Sequence, residues 1–113
     1  MEGKIRVPRE VTIGSHTYQV MFDGIQDDTG YDGITLHRKH EVLLNPDQDY
    51  QRLRITYIHE ILHIVFRILD MDPPESDVVG LGELLGQFLF SNLGIELDFS
   101  SLPSAERKVK DAK

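Results

Sequence analysis

Residues 49–69 constrain the fold more than any other segment, because their apolar residues follow an uneven helical pattern. Projected at about 100° per residue, the apolar side chains form two walls rather than the single stripe of an ordinary surface helix. The first wall consists of Ile55, Ile58, Leu62, Val65, Phe66 and Leu69, and the second of Tyr50, Leu53, Tyr57, Ile61, Ile64 and Ile68. The polar strip between the walls contains Arg52, Thr56, His59, Glu60, His63, Arg67 and Asp70. A helix of this kind is buried on two sides, so we predict that its polar strip lines a cleft.

The polar strip carries the pattern H-E-x-x-H at His59, Glu60 and His63. Four residues are slightly more than one helical turn, so the two imidazoles share a face and can bind one cation together. The chain contains no cysteine, which leaves His, Asp and Glu as possible ligands. Glu60 lies about 100° round the helix, where its carboxylate can act as the general base on a water bound to that cation. The pattern predicts a zinc site with His59 and His63 as ligands and Glu60 as catalytic base. The alternative is a solvated strip that carries two histidines by chance.

A catalytic zinc site normally has three protein ligands, so one more residue is needed. Glu83 lies on a second predicted helix, in a stripe with no other charge, and glycines stand one residue before it and three residues after it. Such a carboxylate needs a cation or a strong donor, and the glycines would let two helices approach closely. We therefore predict Glu83 as the third ligand. One alternative is that Glu83 pairs with Arg67 or Arg52. The other is that the ligand is Glu75, in the turn between the helices.

The order of predicted elements indicates an α+β fold, with a small N-terminal sheet followed by two helices. Four short segments alternate and are rich in β-formers, and we expect strands at residues 4–8, 16–22, 33–37 and 41–45. Asp47 is a plausible N-cap for the first helix, and Pro73-Pro74 follows its end. Ser76 is expected to cap the second helix, which Gly94 stops. Its expected core stripe consists of Leu81, Leu84, Leu85, Phe88 and Leu89.

The length of 113 residues suits one domain, which we assign to residues 1–100. The polar residues 101–113 are expected to form a disordered tail. A net charge of −7 argues against nucleic acid as a partner, and the basic cluster in the tail is expected to be merely solvated. That cluster consists of Arg107, Lys108, Lys110 and Lys113. No secretory signal is evident and no apolar run is long enough to span a membrane, so we expect a cytoplasmic protein.

Residues 56–65, with the sequence T-Y-I-H-E-I-L-H-I-V, resemble the longer signature of zincin metallopeptidases, with uncharged residues where that signature requires them. The order of elements over residues 27–93 resembles the small gluzincin-like metallopeptidases of the ImmA/IrrE type, including those encoded by phages. That family usually has Leu-Ala before the first histidine and Leu-Gly between the glutamate and the second. This chain has Tyr57-Ile58 and Ile61-Leu62 there, so the likeness is one of pattern and spacing. The resemblance implies zinc-dependent cleavage of a protein or peptide substrate, with Glu83 as third ligand.

Two points stay open at the level of sequence. The first is the group that stabilises the oxyanion of the reaction, for which His37, His40, Tyr31 and Arg67 are candidates. The second is the class of protein, since a zinc-stabilised binding module without catalysis could share the same ligands. Glu60 favours an enzyme, because a non-catalytic binding module does not need a carboxylate at that position. An edge strand beside the cleft could hold an extended substrate by strand addition.

Overall fold

The computed structural model describes residues 3–24 and 31–105, and it has the α+β layout that the sequence predicts. A β-sheet region comes first and two helices follow. The strands are β1 (Lys4–Arg6), β2 (Glu10–Ile13), β3 (His16–Phe22), β4 (Gly33–Leu36), β5 (Glu41–Leu44) and β6 (Glu96–Asp98). The helices are α1 (Tyr50–Ile68) and α2 (Glu75–Gly86), and a π-helical segment (Gln87–Asn92) continues α2.

The main sheet has four strands in the order β2-β3-β5-β4. Strands β2 and β3 form an antiparallel hairpin that closes at Gly14, whose positive φ of 64° suits glycine. Strand β3 then runs parallel to β5, with Val20 beside Val42. Strand β4 pairs antiparallel with the other side of β5 and forms the edge of the described sheet. This edge lies against α1, and it therefore positions the candidate site.

Helix α1 is capped two residues later than the proposed cap at Asp47. The N-cap is Asp49, whose side chain accepts a 2.8 Å hydrogen bond from the backbone N–H of Arg52. The helix ends at Ile68, and Asp70 then adopts a left-handed conformation with φ 59°. No helix within residues 3–24 and 31–105 combines the length and apolar content needed to cross a membrane.

The core lies between the main sheet and α1. Alternation along β3 sends Tyr18 and Val20 inward, and β5 adds Val42 and Leu44. The second apolar wall of α1 covers them, and its Ile64 is fully buried. The complete set of buried core residues is Val7, Tyr18, Val20, Val42, Leu44, Leu53, Ile64, Phe99 and Leu102. With this wall turned into the core, the polar strip of α1 lies outside it, with His59 against the second helix and Glu60 against β4.

The chain after α2 returns to the sheet region. Strand β6 pairs in parallel with β1, and Leu102 is buried in the core. The backbone of Phe22 donates to the carbonyl of Pro103 and accepts from the N–H of Ala105. The sequence predicts a disordered tail from residue 101, whereas the chain stays packed to Ala105 because Leu102 contributes to the core. Residues 106–113, with the basic cluster, lie outside the described part.

Helix α2 differs from its prediction in two ways. Its N-cap position is Pro74 rather than Ser76, and no side chain caps it. The residues that face inward are Val78, Gly82 and Gly86, followed by Phe90 of the π-helical segment. The prediction of the buried face was therefore wrong, since four residues of the predicted core stripe are exposed: Leu81, Leu84, Leu85 and Phe88. Small residues on the inner face let α2 approach α1 closely, and this contact decides which side is buried.

Candidate metal centre

Helix α1 presents His59 and His63 on the face that meets α2. Their rings are 4.7 Å apart between centroids and inclined at 77°. The two Nε2 atoms lie 3.1 Å from each other. The imidazole side chains are largely shielded, with 17% of His59 and 32% of His63 exposed. The spacing of four residues thus brings two nitrogen ligands together, as the motif predicts.

The third member of the cluster is Glu75, the first residue of α2. Its Oε2 lies 2.9 Å from Nε2 of His59, and its Oε1 lies 3.4 Å from Nε2 of His63. Each of the three residues offers one potential ligand atom, and these three atoms all lie within 4.8 Å of one another. Pro74 holds the backbone in an extended conformation, so the helix starts with the carboxylate facing the two histidines.

The spacing of these atoms suits a metal ion. Ligands about 2.0 to 2.1 Å from a tetrahedral zinc lie roughly 3.3 Å from one another. The two histidine nitrogens are 3.1 Å apart, and each lies near that distance from a different carboxylate oxygen of Glu75, at 2.9 Å from Oε2 for His59 and 3.4 Å from Oε1 for His63. His59, His63 and Glu75 can therefore hold a metal ion.

Two glycines set the distance between the helices. A Cβ atom on Gly82 would lie 3.7 Å from the Cα of His59, so the backbones are in contact there. A Cβ on Gly86 would collide with Cδ1 of Ile55. Gly82 faces His59, and Gly86 faces the preceding turn of α1, so the two helices run in opposite directions. The start of α2 therefore lies over the His59–His63 face of α1.

Glu83, the third ligand predicted from sequence, lies beside this cluster and outside it. It lines the same cleft as His59 and Glu60, and its side chain is exposed. Among the described residues it pairs with neither arginine proposed for it, and Arg52 instead binds Asp32 at 2.7 Å. The assignment of Glu83 as a ligand stays a prediction, while the residue that the structure brings to the histidines is Glu75.

The sequence contains a signal that points to Glu75. Residues 75, 78, 82 and 86 recur at intervals of three and four, which places them on one face of a helix. That face is the one buried against α1, as Val78, Gly82 and Gly86 show. Glu83 lies about 100° round from Gly82 and so faces away from the closest contact. The two glycines correctly indicated the face of α2 that packs on α1, and the carboxylate on that same face is Glu75.

Glu60 reaches towards the edge of the sheet and lines the same cleft as His59 and Glu75. Only 4% of it is exposed, and its Oε1 accepts a 2.6 Å hydrogen bond from the hydroxyl of Thr35 in β4. Burial raises the pKa of Glu60 above its ordinary value, while Thr35 and the two histidines oppose the rise. A buried carboxylate with a raised pKa, next to a potential metal site, has the properties of a general base.

The close approach of β4 to Glu60 depends on Gly33. A Cβ at this position would lie 2.8 Å from Cγ2 of Thr56 and 3.3 Å from Cγ of Glu60. It would also meet the backbone carbonyl oxygen of Leu43 at 3.2 Å. Glycine therefore lets the edge strand lie directly against the helix.

A cleft of about 880 Å³ opens beside the cluster, between β4, α1 and the first turns of α2. It is lined by Tyr31, Asp32, Gly33, Asp49, Gln51, Arg52, Ile55, Thr56, His59, Glu60, Glu75, Val79 and Glu83. Its walls are tied together by Gln48, which donates to the carbonyl of Asp32 and accepts from the hydroxyl of Thr56. The prediction that the polar strip of α1 lines a cleft is confirmed.

The four candidates for oxyanion stabilisation lie on two sides of the cluster. Tyr31 lines the cleft with Glu60, and 57% of its surface is exposed. His37 and Arg67 line a separate cavity of about 750 Å³ that also contains His63 and Glu75. His40 lines neither of these, since it lies further out in the β4–β5 turn.

Comparison of the sequence with protein-family models and with curated proteins gives no match, and comparison of the structure with solved structures gives none either. The resemblance to zincin metallopeptidases therefore stays a prediction.

Proposed function

We propose that this chain is a zinc-dependent peptidase, with the metal held by His59, His63 and Glu75 and with Glu60 as general base. The observation that carries the proposal is that one potential ligand atom from each of His59, His63 and Glu75 lies within 4.8 Å of the other two, close enough for one ion to bind all three side chains. Glu60 supports it further, because it is buried on the same helix next to His59.

Zinc is the metal that best suits this set of ligands. Two neutral imidazoles and one carboxylate are the protein ligands of many catalytic zinc sites. Magnesium and calcium prefer sites composed of oxygen atoms. An ion held by three side chains would keep one position for water or substrate, which a purely structural site does not.

In the proposed hydrolysis Glu60 transfers the proton and Thr35 orients Glu60. When bound, the metal supplies a Lewis acid that lowers the pKa of water and polarises a peptide carbonyl. Glu60 takes a proton from the attacking water and passes it to the leaving amine nitrogen. Thr35 holds the carboxylate in place through its hydroxyl, and burial raises the affinity of Glu60 for the proton that it carries.

A peptide is a suitable substrate for the surroundings of the site. Strand β4 is an edge of the sheet as far as the structure describes it, and it borders the cleft at Gly33. An extended peptide can add to such an edge through main-chain hydrogen bonds. A cleft of about 880 Å³ has room for several of its side chains.

The decisive experiment compares wild type with Glu60→Gln, both loaded with zinc. The amide keeps the volume of the side chain and can still accept from Thr35, but it cannot act as a base. We expect zinc binding to be retained and peptide hydrolysis to fall by at least about a hundredfold. New protein termini in a lysate of the natural host, measured by mass spectrometry, provide an assay that needs no known substrate. If zinc-loaded wild type produces no termini that the variant lacks, the peptidase proposal is wrong.

A second candidate function is a zinc-stabilised binding module without catalysis. It is favoured by exposed apolar side chains on the outer face of α2 and of the π-helical segment that continues it, which are unusual on the surface of a small domain: Leu81, Leu84, Leu85 and Phe88. In that case Glu60→Gln should leave every measured property except stability unchanged. The same comparison of variants therefore separates the two candidates.

A further inference from the structure

A second, smaller cavity lies at the far end of α1, where it meets the start of β3 and the β4–β5 turn. Its volume is about 210 Å³. It is lined by His16, Tyr18, His37, His40, Arg67 and Ile68. Three of the five histidines of the chain meet here, although none of the three belongs to the H-E-x-x-H motif. This group is called the histidine pocket below.

The charge of the histidine pocket is opposite to that of the protein. The chain has a formal net charge of −7, yet no carboxylate among residues 3–24 and 31–105 lines this cavity. Arg67 makes no ion pair with any residue in the part of the chain that the structure describes. Asp70, three residues further along the chain, lines the adjoining cavity and is likewise not paired with Arg67. The guanidinium is therefore available to an anion from outside.

The aromatic rings of the pocket hold one another in place. Tyr18 is almost fully buried, and its hydroxyl lies 2.8 Å from Nδ1 of His37. Its ring makes edge-on contacts with His37 and with His40, at centroid distances of 6.0 and 5.0 Å. The ring of His16 lies 5.9 Å from that of His40. The hydrogen bond to Tyr18 thus fixes the His37 ring before any ligand arrives, which reduces the entropy that this ring would lose on binding.

His37 is set up to donate from its outer nitrogen. Burial raises the pKa of the Tyr18 hydroxyl, so the phenol keeps its proton. Burial and the charge of Arg67 lower the pKa of His37, so its ring is neutral near pH 7. With the Tyr18 hydroxyl donating to Nδ1, the neutral ring carries its own proton on Nε2.

We propose that the histidine pocket is a binding site for a carboxylate or phosphate oxyanion, with the Arg67 guanidinium as principal partner and the histidine rings as further donors. Guanidinium recognises both groups through paired N–H donors, and the cavity admits only a small group of this kind. The site does not depend on the proposed peptidase function. It adjoins the metal centre nonetheless, since His37 and Arg67 also line the cavity that contains His63 and Glu75. A free anion and the carboxylate of a peptide are both possible sources.

The test follows the imidazole C–H resonances of His16, His37 and His40 by NMR in the zinc-loaded protein. The probes are inorganic phosphate, acetate, and a short peptide with a free or an amidated C-terminus, each at constant pH and ionic strength. We expect saturable shifts of these resonances with at least one oxyanion. Saturation with phosphate alone identifies a phosphate site. Saturation with acetate and the free peptide, but not with the amidated one, identifies a carboxylate site.

Arg67→Gln and Arg38→Gln provide the matched comparison. Arg38 lies in the same β4–β5 turn as His37 but does not line the pocket. Arg67→Gln should weaken oxyanion binding by about tenfold or more, as loss of a charged hydrogen-bond donor does, whereas Arg38→Gln should leave it within about twofold. Circular dichroism checks that both variants fold. Shifts that never saturate with any probe, or equal affinity in both variants, would overturn the proposal.

Discussion

The hydroxyl of Thr35 donates a 2.6 Å hydrogen bond to Oε1 of Glu60, so the edge strand β4 holds the carboxylate that α1 supplies. The same hydroxyl lies 3.4 Å from the backbone carbonyl oxygen of Glu60. Burial raises the pKa of this carboxylate and the hydrogen bond lowers it, so the two effects oppose each other. The sheet therefore sets both the position and the basicity of the proposed general base.

Thr35→Val should move the acidic limb of the pH dependence of kcat/KM to higher pH. Valine keeps the shape of threonine but removes the donor that favours ionised Glu60, so the pKa of Glu60 rises further. A general base must be deprotonated to act, and a higher pKa means that a higher pH is needed. Thr35→Ser retains the hydroxyl and should keep the profile of wild type. A profile that is unchanged in Thr35→Val would mean that Glu60 does not set the acidic limb.

Gly33→Ala should destabilise the protein by about 1 to 3 kcal/mol, the usual effect of overpacking. The new methyl group would press on Thr56, Glu60 and the backbone oxygen of Leu43. Gly80→Ala is the control, because a Cβ at Gly80 meets nothing within 4 Å and alanine favours a helix by about 1 kcal/mol over glycine. Urea unfolding of both variants measures the difference. Equal stability of the two would show that β4 can move away from α1 at little cost.

The sequence predicted those elements whose pattern is long or strongly periodic. Strand β3 has the predicted bounds, and α1 differs from its prediction by one residue at each end. Strand β6 was missed because its three residues pair with β1, from the other end of the chain, and no local pattern records such a partner. Strand β2 was also missed, because its four residues before the turn at Gly14 form a strand through their pairing with β3.

The candidate site was predictable as far as one helix defines it. His59, Glu60 and His63 depend only on helical spacing within α1, which the sequence records directly. The position of α2 depends on which of its faces meets α1. The apolar stripe of α2 predicted the wrong face for this contact. Close backbone contact at Gly82 outweighed the larger apolar area on the opposite face. For that reason the cluster contains Glu75, although the sequence argument preferred Glu83.

Glu75→Gln and Glu83→Gln should differ sharply in their effect on zinc affinity. Glu75 contacts both histidines, so loss of its charge should weaken binding by about tenfold or more. Glu83 contacts neither, and its variant should bind zinc like wild type. Competition with a chromophoric chelator measures both affinities under the same conditions. The opposite ranking would restore Glu83 as the third ligand, and unchanged affinity in both variants would leave the metal with the two histidines alone.

The metal-free protein should show a cost of burying Glu60 that depends on pH. In the unfolded chain Glu60 titrates near its ordinary value of 4.5, whereas burial raises its pKa in the folded state. Between the two pKa values the folded state holds the proton that the unfolded state has lost, so stability falls as pH rises through this window. Above this window the folded protein bears the full free-energy cost of burying the ionised carboxylate.

Glu60→Gln has no such titration and keeps an acceptor for Thr35, so its chelator-treated form should be more stable than wild type at neutral pH. The difference should shrink as pH falls towards 4.5 and vanish below it. Urea unfolding at a series of pH values measures this difference, in which the titrations of all other groups largely cancel. A difference that does not vary with pH, or a variant less stable than wild type at pH 7, would show that Glu60 is well solvated as an anion and is not held at raised pKa by its surroundings.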